Sequence, residues 1–140
     1  MNSVLILCTG NSCRSQMAQV IWQQLGGNNW RCQSAGSSPS GYVHPLAIKA
    51  IDELGYPTQG LESKALKCVE LDEVDLAVTV CDNAKESCPV LPDNIKTLHW
   101  PFDDPADARG SDDEKMKVFV RVRDEISDKI RHYLENEHGQ

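Results

Sequence analysis

No run of apolar residues in this chain approaches the roughly 18 that a membrane-spanning helix requires. The N-terminus, Met1-Asn2-Ser3, carries no basic residue, and the apolar run after it, Val4–Leu7, is too short for a signal peptide. Basic residues are in the minority, with 14 Lys and Arg against 21 Asp and Glu, which gives a formal net charge of −7. We therefore expect a cytoplasmic protein that binds neither membranes nor nucleic acid.

The chain does have an ordinary apolar content and an unusual number of cysteines. Its 140 residues are 40% hydrophobic and 25% charged, which is typical of a globular protein and predicts a single domain over residues 1–140. A chain of this length builds its core without disulfide bonds. Cytoplasmic thiols stay reduced, so the six cysteines indicate metal binding or redox chemistry.

Strand patterns alternate with helix patterns along the chain. Four short apolar runs predict strands, at Ser3–Cys8, Arg31–Ala35, Leu76–Cys81 and Lys96–Trp100. Helices are predicted at Ser15–Leu25, at Pro45–Leu54, over a short stretch after Cys81, and over a long C-terminal segment. This alternation predicts an α/β fold, a doubly wound four-stranded parallel sheet flanked by helices. Ligands of such sheets bind beyond the carboxyl ends of the strands, where Cys8 and Cys81 lie.

The C-terminal helix has the clearest pattern. Ser111-Asp112-Asp113-Glu114 is typical of a capping box, with acidic side chains at the positive end of the helix dipole. Apolar residues then recur at intervals of three and four and predict one buried stripe, formed by Met116, Phe119, Val122, Ile126, Ile130 and Tyr133.

The loop after the first strand has the composition of an anion site. It joins a strand to a helix and contains small and polar residues, namely Thr9, Gly10, Asn11, Ser12, Cys13 and Ser15. Such a loop turns its backbone N–H groups around an anion at the positive end of the helix. Arg14 adds a fork of donors that suits a tetrahedral oxyanion, and the same field favours a thiolate at Cys8. The alternative is a strand that ends in a cysteine and an ordinary turn.

Two further cysteines, Cys81 and Cys88, point to redox chemistry. If the strands ending in Cys8 and Cys81 are neighbours, they lie about 4.8 Å apart, within the roughly 4.4–6.8 Å between Cα atoms that a disulfide spans. Cys81 and Cys88 would be roughly 10 Å apart on an intervening helix. A bond between them would therefore change the conformation of the segment Asp82–Val90 between reduced and oxidised protein.

Zinc or inert thiols are the alternatives for these cysteines. A zinc site usually has cysteines two to four residues apart, and the spacing of Cys81 and Cys88 fits this badly. We expect no metal and no cofactor. Cys32 and Cys68 are interpreted as core or spare thiols, and Cys13 as structural or a secondary oxidation site. The four histidines show no spacing that suggests a metal site or a catalytic base.

The loop Cys8–Ser15 resembles the phosphate-binding loop of low-molecular-weight protein tyrosine phosphatases. The longer run Cys8–Ala18 resembles, more closely, the thioredoxin-coupled arsenate reductases built on that fold. The resemblance covers almost the whole chain, through the motifs Ser34-Ala35-Gly36, Thr79-Val80-Cys81, Cys88-Pro89-Val90-Leu91-Pro92, His99-Trp100-Pro101-Phe102-Asp103-Asp104-Pro105-Ala106 and Arg121-Val122-Arg123-Asp124-Glu125-Ile126.

The resemblance implies a monomeric enzyme that reduces arsenate, with phosphate or sulfate as competing oxyanions and thioredoxin as the electron donor. It assigns the attack on arsenic to Cys8 and the later thiol exchanges to Cys81 and Cys88. It assigns the general acid to Asp104, whereas Asp103 is interpreted as a turn or cap residue. Ala106 stands where the tyrosine phosphatases usually carry an aromatic residue, which argues against the hypothesis that this protein is a phosphatase.

Two other functions stay open from the sequence. One is a low-molecular-weight phosphatase in which Cys81 and Cys88 form a protective redox lock. The other is a non-catalytic oxyanion or redox sensor.

A final expectation concerns a departure from the family. Some of these reductases bind potassium beneath the anion loop, and the matching positions here are Asn11, Ser34, Gln19 and Lys64. Since Lys64 supplies donors instead of oxygen ligands, we predict that its ammonium takes the place of the cation and bonds to Asn11, Ser34 or Gln19. The alternative is that Lys64 is a solvated surface lysine.

Overall fold

The computed structural model describes residues 2–81 and 91–138. Four strands lie in this part of the chain: β1, Asn2–Cys8; β2, Trp30–Gly36; β3, Leu76–Thr79; and β4, Lys96–His99. Three α-helices accompany them: α1, Arg14–Gly26; α2, Pro45–Asp52; and α3, Asp112–His138. The predicted bounds of the strands and of the first two helices agree with these to within two residues. The predicted helix after Cys81 and the segment expected to change with oxidation lie outside the described residues.

The four strands form one parallel sheet in the order β2-β1-β3-β4, so the predicted four-stranded parallel sheet is confirmed. β1 is central and pairs with β2 on one side and β3 on the other. Its residues Val4–Cys8 are buried on both faces of the sheet, which explains why the run is continuously apolar and does not alternate with polar residues.

The two faces of the sheet are covered differently in the described part of the chain. Val4, Ile6 and Cys8 belong to a large apolar cluster that also contains buried residues of α1, α2 and α3. Leu5 and Leu7 point to the other face and pack against residues from the loops around two short 3-10 turns, Leu66–Cys68 and Leu71–Glu73. The period-two alternation of side chains along a strand produces this division.

α3 begins with the predicted capping box. The Ser111 Oγ accepts a hydrogen bond from the Glu114 N–H at 3.2 Å, and Glu114 Oε1 accepts one from the Ser111 N–H at 3.2 Å. Most of its predicted stripe is buried in the large cluster, with Met116 and Tyr133 partly buried. No helix in the described part of the chain is both long and apolar enough to cross a membrane.

The carboxyl ends of the strands meet at one edge of the sheet. Leu7 of β1 lies opposite Thr79 of β3, which in turn lies opposite His99 of β4, and Cys8 lies opposite Gly36 of β2. The loops that leave these strands carry the predicted functional residues. This edge is therefore the place to look for a site.

Candidate active site

The loop from Cys8 to Ser15 leaves the central strand and enters α1, and five of its backbone carbonyls, those of residues 8–12, accept hydrogen bonds from residues outside the loop. The donors come mainly from the chain just after β2, residues 37–44. In order, these bonds are Ser37 N to Cys8 O (3.4 Å), Ser38 N to Thr9 O (3.0 Å), Ser40 N to Gly10 O (2.9 Å), Gln16 Nε2 to Asn11 O (2.9 Å) and His44 N to Ser12 O (3.0 Å). A trans peptide points its N–H opposite to its C=O, so the loop turns N–H groups toward its concave side.

The Cys8 thiol lies at the bottom of this loop and is 2% exposed. Its Sγ is 2.9 Å from Ser15 Oγ and accepts a hydrogen bond from the Asn11 N–H at 3.2 Å. The Ser15 hydroxyl and the Asn11 N–H thus both contact the Cys8 sulfur.

Asn11 is the only described non-glycine residue with a positive φ, at 49°. Its side chain explains why an asparagine occupies this position. Nδ2 donates to Ser15 Oγ at 2.7 Å and to Ser34 Oγ at 3.0 Å, and Oδ1 accepts from the Lys64 N–H at 2.9 Å. Asparagine tolerates the left-handed conformation, and these bonds hold it there.

The structure contradicts the predicted role of the Lys64 ammonium. Lys64 contributes its backbone N–H to Asn11, and its side chain makes no hydrogen bond or ion pair within residues 2–81 and 91–138. The neutral amide of Gln19 takes part instead, since its Oε1 accepts from Ser34 Oγ at 2.6 Å. The backbone beside Lys64 pairs with the end of β2, through the Gly36 N–H to Lys64 O bond, and this pairing brings the main chain to Asn11.

Arg14 is the first residue of α1 and is 3% exposed. Its Nη1 donates to the Phe102 carbonyl at 3.2 Å and, at 3.5 Å, to the Val80 carbonyl just before Cys81. Its Nη2 lies 3.5 Å from Asp104 Oδ2. The structure thus places Asp104 next to Arg14 beside the loop.

The two neighbouring aspartates face different partners. Asp104 is partly buried; its Oδ1 accepts from the Ala106 N–H at 3.0 Å, while its other oxygen faces Arg14. Asp103 instead pairs with Arg121 of α3 at 3.2 Å. The hydrogen bonds of Glu125 and Asp103 raise the pKa of Arg121. Asp103 therefore anchors the loop, and Asp104 is the carboxylate turned toward the anion loop.

The other cysteines divide by burial and bonding. Burial raises the pKa of the Cys13 thiol to about 12 and that of the Cys32 thiol to about 12, which keeps both protonated. Cys68 is exposed, and these three and Cys8 are free thiols. Cys81 is fully buried and disulfide-bonded, so it is not joined to Cys8. Cys88 lies outside the described residues.

Among the described residues, no cluster of three or more His, Cys, Asp or Glu side chains is arranged to hold a metal ion.

Sequence reasoning missed the residues that support the loop from outside. One of them is His44, whose N–H donates to the Ser12 carbonyl. Its ring also caps α2, because Nδ1 accepts a hydrogen bond from the Leu46 N–H. Burial lowers the pKa of His44, which favours the neutral ring that this cap requires. No spacing signal marks these contacts, because a folded turn and not a motif brings residues 37–44 against the loop.

Gly36 approaches the loop too closely for any side chain. A Cβ at this position would lie 2.5 Å from the Thr9 carbonyl oxygen and 3.1 Å from Asn11 Cβ. We expect Gly36→Ala to destabilise the fold by about 1–3 kcal/mol and to weaken phosphate binding, measured by urea unfolding and calorimetry. Gly10→Ala is the matched control for stability, because the nearest atom to its Cβ is 3.7 Å away. Equal stability of the two variants would contradict this account of Gly36.

Comparisons with known proteins agree with this geometry. Residues 3–138 match the model of the family described as low molecular weight phosphotyrosine protein phosphatase. An arsenate reductase of Bacillus subtilis is 42% identical over 132 residues, covering 94% of each chain. The crystal structure of an arsenate reductase from Archaeoglobus fulgidus has a TM-score of 0.79 at 27% identity, covering 94% of this chain and 98% of that chain.

A thioredoxin-dependent arsenate reductase of Corynebacterium glutamicum has the same fold. Its TM-score is 0.75 at 23% identity, and the match covers 100% of this chain and 64% of that chain.

Proposed function

The chain belongs to the low molecular weight phosphotyrosine protein phosphatase family, and within it we propose that the protein reduces arsenate to arsenite by a relay of three cysteines. The observation that carries the proposal is the state of two cysteines at the carboxyl ends of neighbouring strands. Cys8 is a free thiol within an anion loop, while Cys81, just after the adjacent strand, is oxidised. A phosphatase requires only the nucleophilic Cys8, whereas a reductase also requires a second cysteine that can form a disulfide, and Cys81 forms one here.

The first step is substitution at arsenic. Arsenate occupies the concave side of the loop, bound by backbone N–H groups and Arg14, in the place that phosphate or sulfate would also take. The Cys8 thiolate attacks arsenic, so that an S–As bond forms and one As–O bond breaks. The departing hydroxyl takes a proton from Asp104 and leaves as water.

The second step transfers two electrons to arsenic. The Cys81 thiolate attacks Cys8 Sγ, an S–S bond forms, and the S–As bond breaks with its electron pair remaining on arsenic, which leaves as arsenite. The pairing of Leu7 with Thr79 supports this step, because both cysteines follow those residues at one sheet edge.

The third step regenerates Cys8. Cys88 attacks Cys81, the Cys8–Cys81 bond breaks, and a Cys81–Cys88 disulfide forms that thioredoxin reduces. An oxidised Cys81 beside a free Cys8 is the state expected at the end of this relay. Thioredoxin is a cytoplasmic dithiol reductant, and we propose that the chain works there as a single-domain monomer without metal or cofactor.

A coupled assay tests the proposed function. Purified protein, thioredoxin, thioredoxin reductase and NADPH are mixed, and arsenate-dependent oxidation of NADPH is compared with hydrolysis of an aryl phosphate. We expect sustained NADPH oxidation and little hydrolysis. Hydrolysis without arsenate turnover would favour the phosphatase, while binding and reversible oxidation without either turnover would favour a sensor.

Asp104→Asn tests the general acid. The amide cannot donate the proton that the leaving oxygen needs, so we expect kcat to fall about 100-fold or more, with arsenate binding retained. Asp103→Asn is the matched control, since Asp103 faces Arg121 and not Arg14. Steady-state kinetics at saturating thioredoxin measure both variants. A similar loss in both would indicate that the loop position, and not the proton of Asp104, is responsible.

A further inference from the structure

Gln16 follows Ser15 in the first turn of α1 and is 1% exposed. Its Nε2 donates to the Asn11 carbonyl at 2.9 Å and to the Glu62 carbonyl at 2.9 Å. Both partners are acceptors, so the amide must present its NH2 group and not its oxygen to them. The side chain thereby joins the middle of the anion loop to the segment that runs beside it.

The other end of the same amide has no such partner. Gln16 Oε1 is buried and accepts no hydrogen bond from any described residue. A buried acceptor without a donor is unfavourable, and native structures contain few of them. The two carbonyl oxygens that accept from Nε2 therefore determine the orientation of the Gln16 amide.

We propose that Gln16 is a positioning residue that sets the anion loop for catalysis by fixing the peptide between Asn11 and Ser12. This peptide is trans, so holding the Asn11 carbonyl outward turns the Ser12 N–H toward the oxyanion. The same bond holds Asn11 at its positive φ of 49°, where its own N–H reaches Cys8 Sγ at 3.2 Å. The proposal rests on the proposed function in taking Cys8 as the nucleophile.

The structure supplies a matched control on the same helix. Gln23 also donates from Nε2 to two backbone carbonyls, those of Gly27 at 3.1 Å and Trp30 at 2.8 Å. These carbonyls lie at the opposite end of α1 from the anion loop. Gln23→Met removes both of these bonds and also the bond from the Cys32 N–H to Gln23 Oε1 at 3.3 Å, so a general effect of lost glutamine hydrogen bonds should appear in the control as well.

Two readouts that do not require arsenate turnover test the proposal. The first is the rate at which iodoacetamide alkylates Cys8 at pH 7, followed by mass spectrometry of the Cys8 peptide. The second is the dissociation constant of inorganic phosphate, from calorimetry. We expect Gln16→Met to slow alkylation and to weaken phosphate binding, each about tenfold, as the loss of about one net hydrogen bond implies. Gln23→Met should leave both values within about twofold of wild type.

A second variant keeps the test decisive if Gln16→Met does not fold. Gln16→Asn is one methylene shorter and cannot reach both carbonyls, so we expect smaller changes in the same direction. Wild-type alkylation and phosphate binding in either folded Gln16 variant, or equal changes in Gln23→Met, would overturn the proposal. A wild-type protein that fails the coupled arsenate assay would instead count against the proposed function and leave this comparison intact.

Discussion

Replacing Cys8 with serine is expected to abolish arsenate turnover, with a loss of more than about a thousandfold, while oxyanion binding is retained. The serine hydroxyl is not ionised at neutral pH and cannot form the S–As bond. The binding groups remain, because the loop N–H groups and the Arg14 fork do not depend on the sulfur. The coupled NADPH assay measures turnover, and calorimetry with phosphate measures binding.

Cys68→Ser is the control for this variant. Cys68 is also a free thiol, but it is exposed and belongs to the short turn Leu66–Cys68, not to the anion loop. Its substitution should leave turnover at the wild-type value. Turnover by Cys8→Ser above a few per cent of wild type would mean that another thiol attacks arsenic. Loss of phosphate binding would mean that the sulfur shapes the loop.

The sequence is most informative where one local signal is enough. The strand Ser3–Cys8 is buried on both faces and is therefore apolar throughout, and the capping box at Ser111 uses atoms only three residues apart. Both were predicted, and both are confirmed. The apolar pattern predicts that the strand at Leu76 continues to Cys81, but the strand ends at Thr79. The apolar pattern continues past the point where ladder pairing stops, so pattern alone does not give the end.

The Lys64 prediction was wrong because it assigned a side-chain role where the backbone acts. Asn11 Oδ1 does receive a donor from Lys64, but that donor is the main-chain N–H. Residue type says nothing about a main-chain donor, since every residue except proline carries one. The pairing of residues 64 and 65 with the end of β2 decides which group reaches Asn11, and this pairing joins distant parts of the sequence.

The supports of the anion loop were missed for the same reason. Residues 37–44 hold four of its carbonyls through backbone N–H groups, and Gln16 holds a fifth through its side chain. Nothing in the sequence distinguishes Gln16 from other residues of a buried helix. Motif spacing identifies the residues that touch the substrate. It does not identify the residues that hold those in place, because their positions depend on the tertiary fold.

Replacing Cys88 with serine is expected to limit the enzyme to about one turnover. Cys8 and Cys81 remain, so arsenate is still reduced once and a Cys8–Cys81 disulfide forms. Without the third thiol, this disulfide is not passed on to the pair that thioredoxin reduces. Rapid-quench measurement should give a burst of about one arsenite per protein, followed by a negligible steady rate.

The trapped product distinguishes this outcome from a general loss of activity. Digestion without reductant should give a cross-linked peptide pair containing Cys8 and Cys81, which the wild type at the end of turnover lacks.

Cys81→Ser is the complementary variant: it should release no arsenite, because no thiol is then placed to attack Cys8. Multiple turnovers by Cys88→Ser with thioredoxin would mean that thioredoxin resolves the Cys8–Cys81 bond directly. The relay would then need only two cysteines, and Cys88 would have no catalytic role.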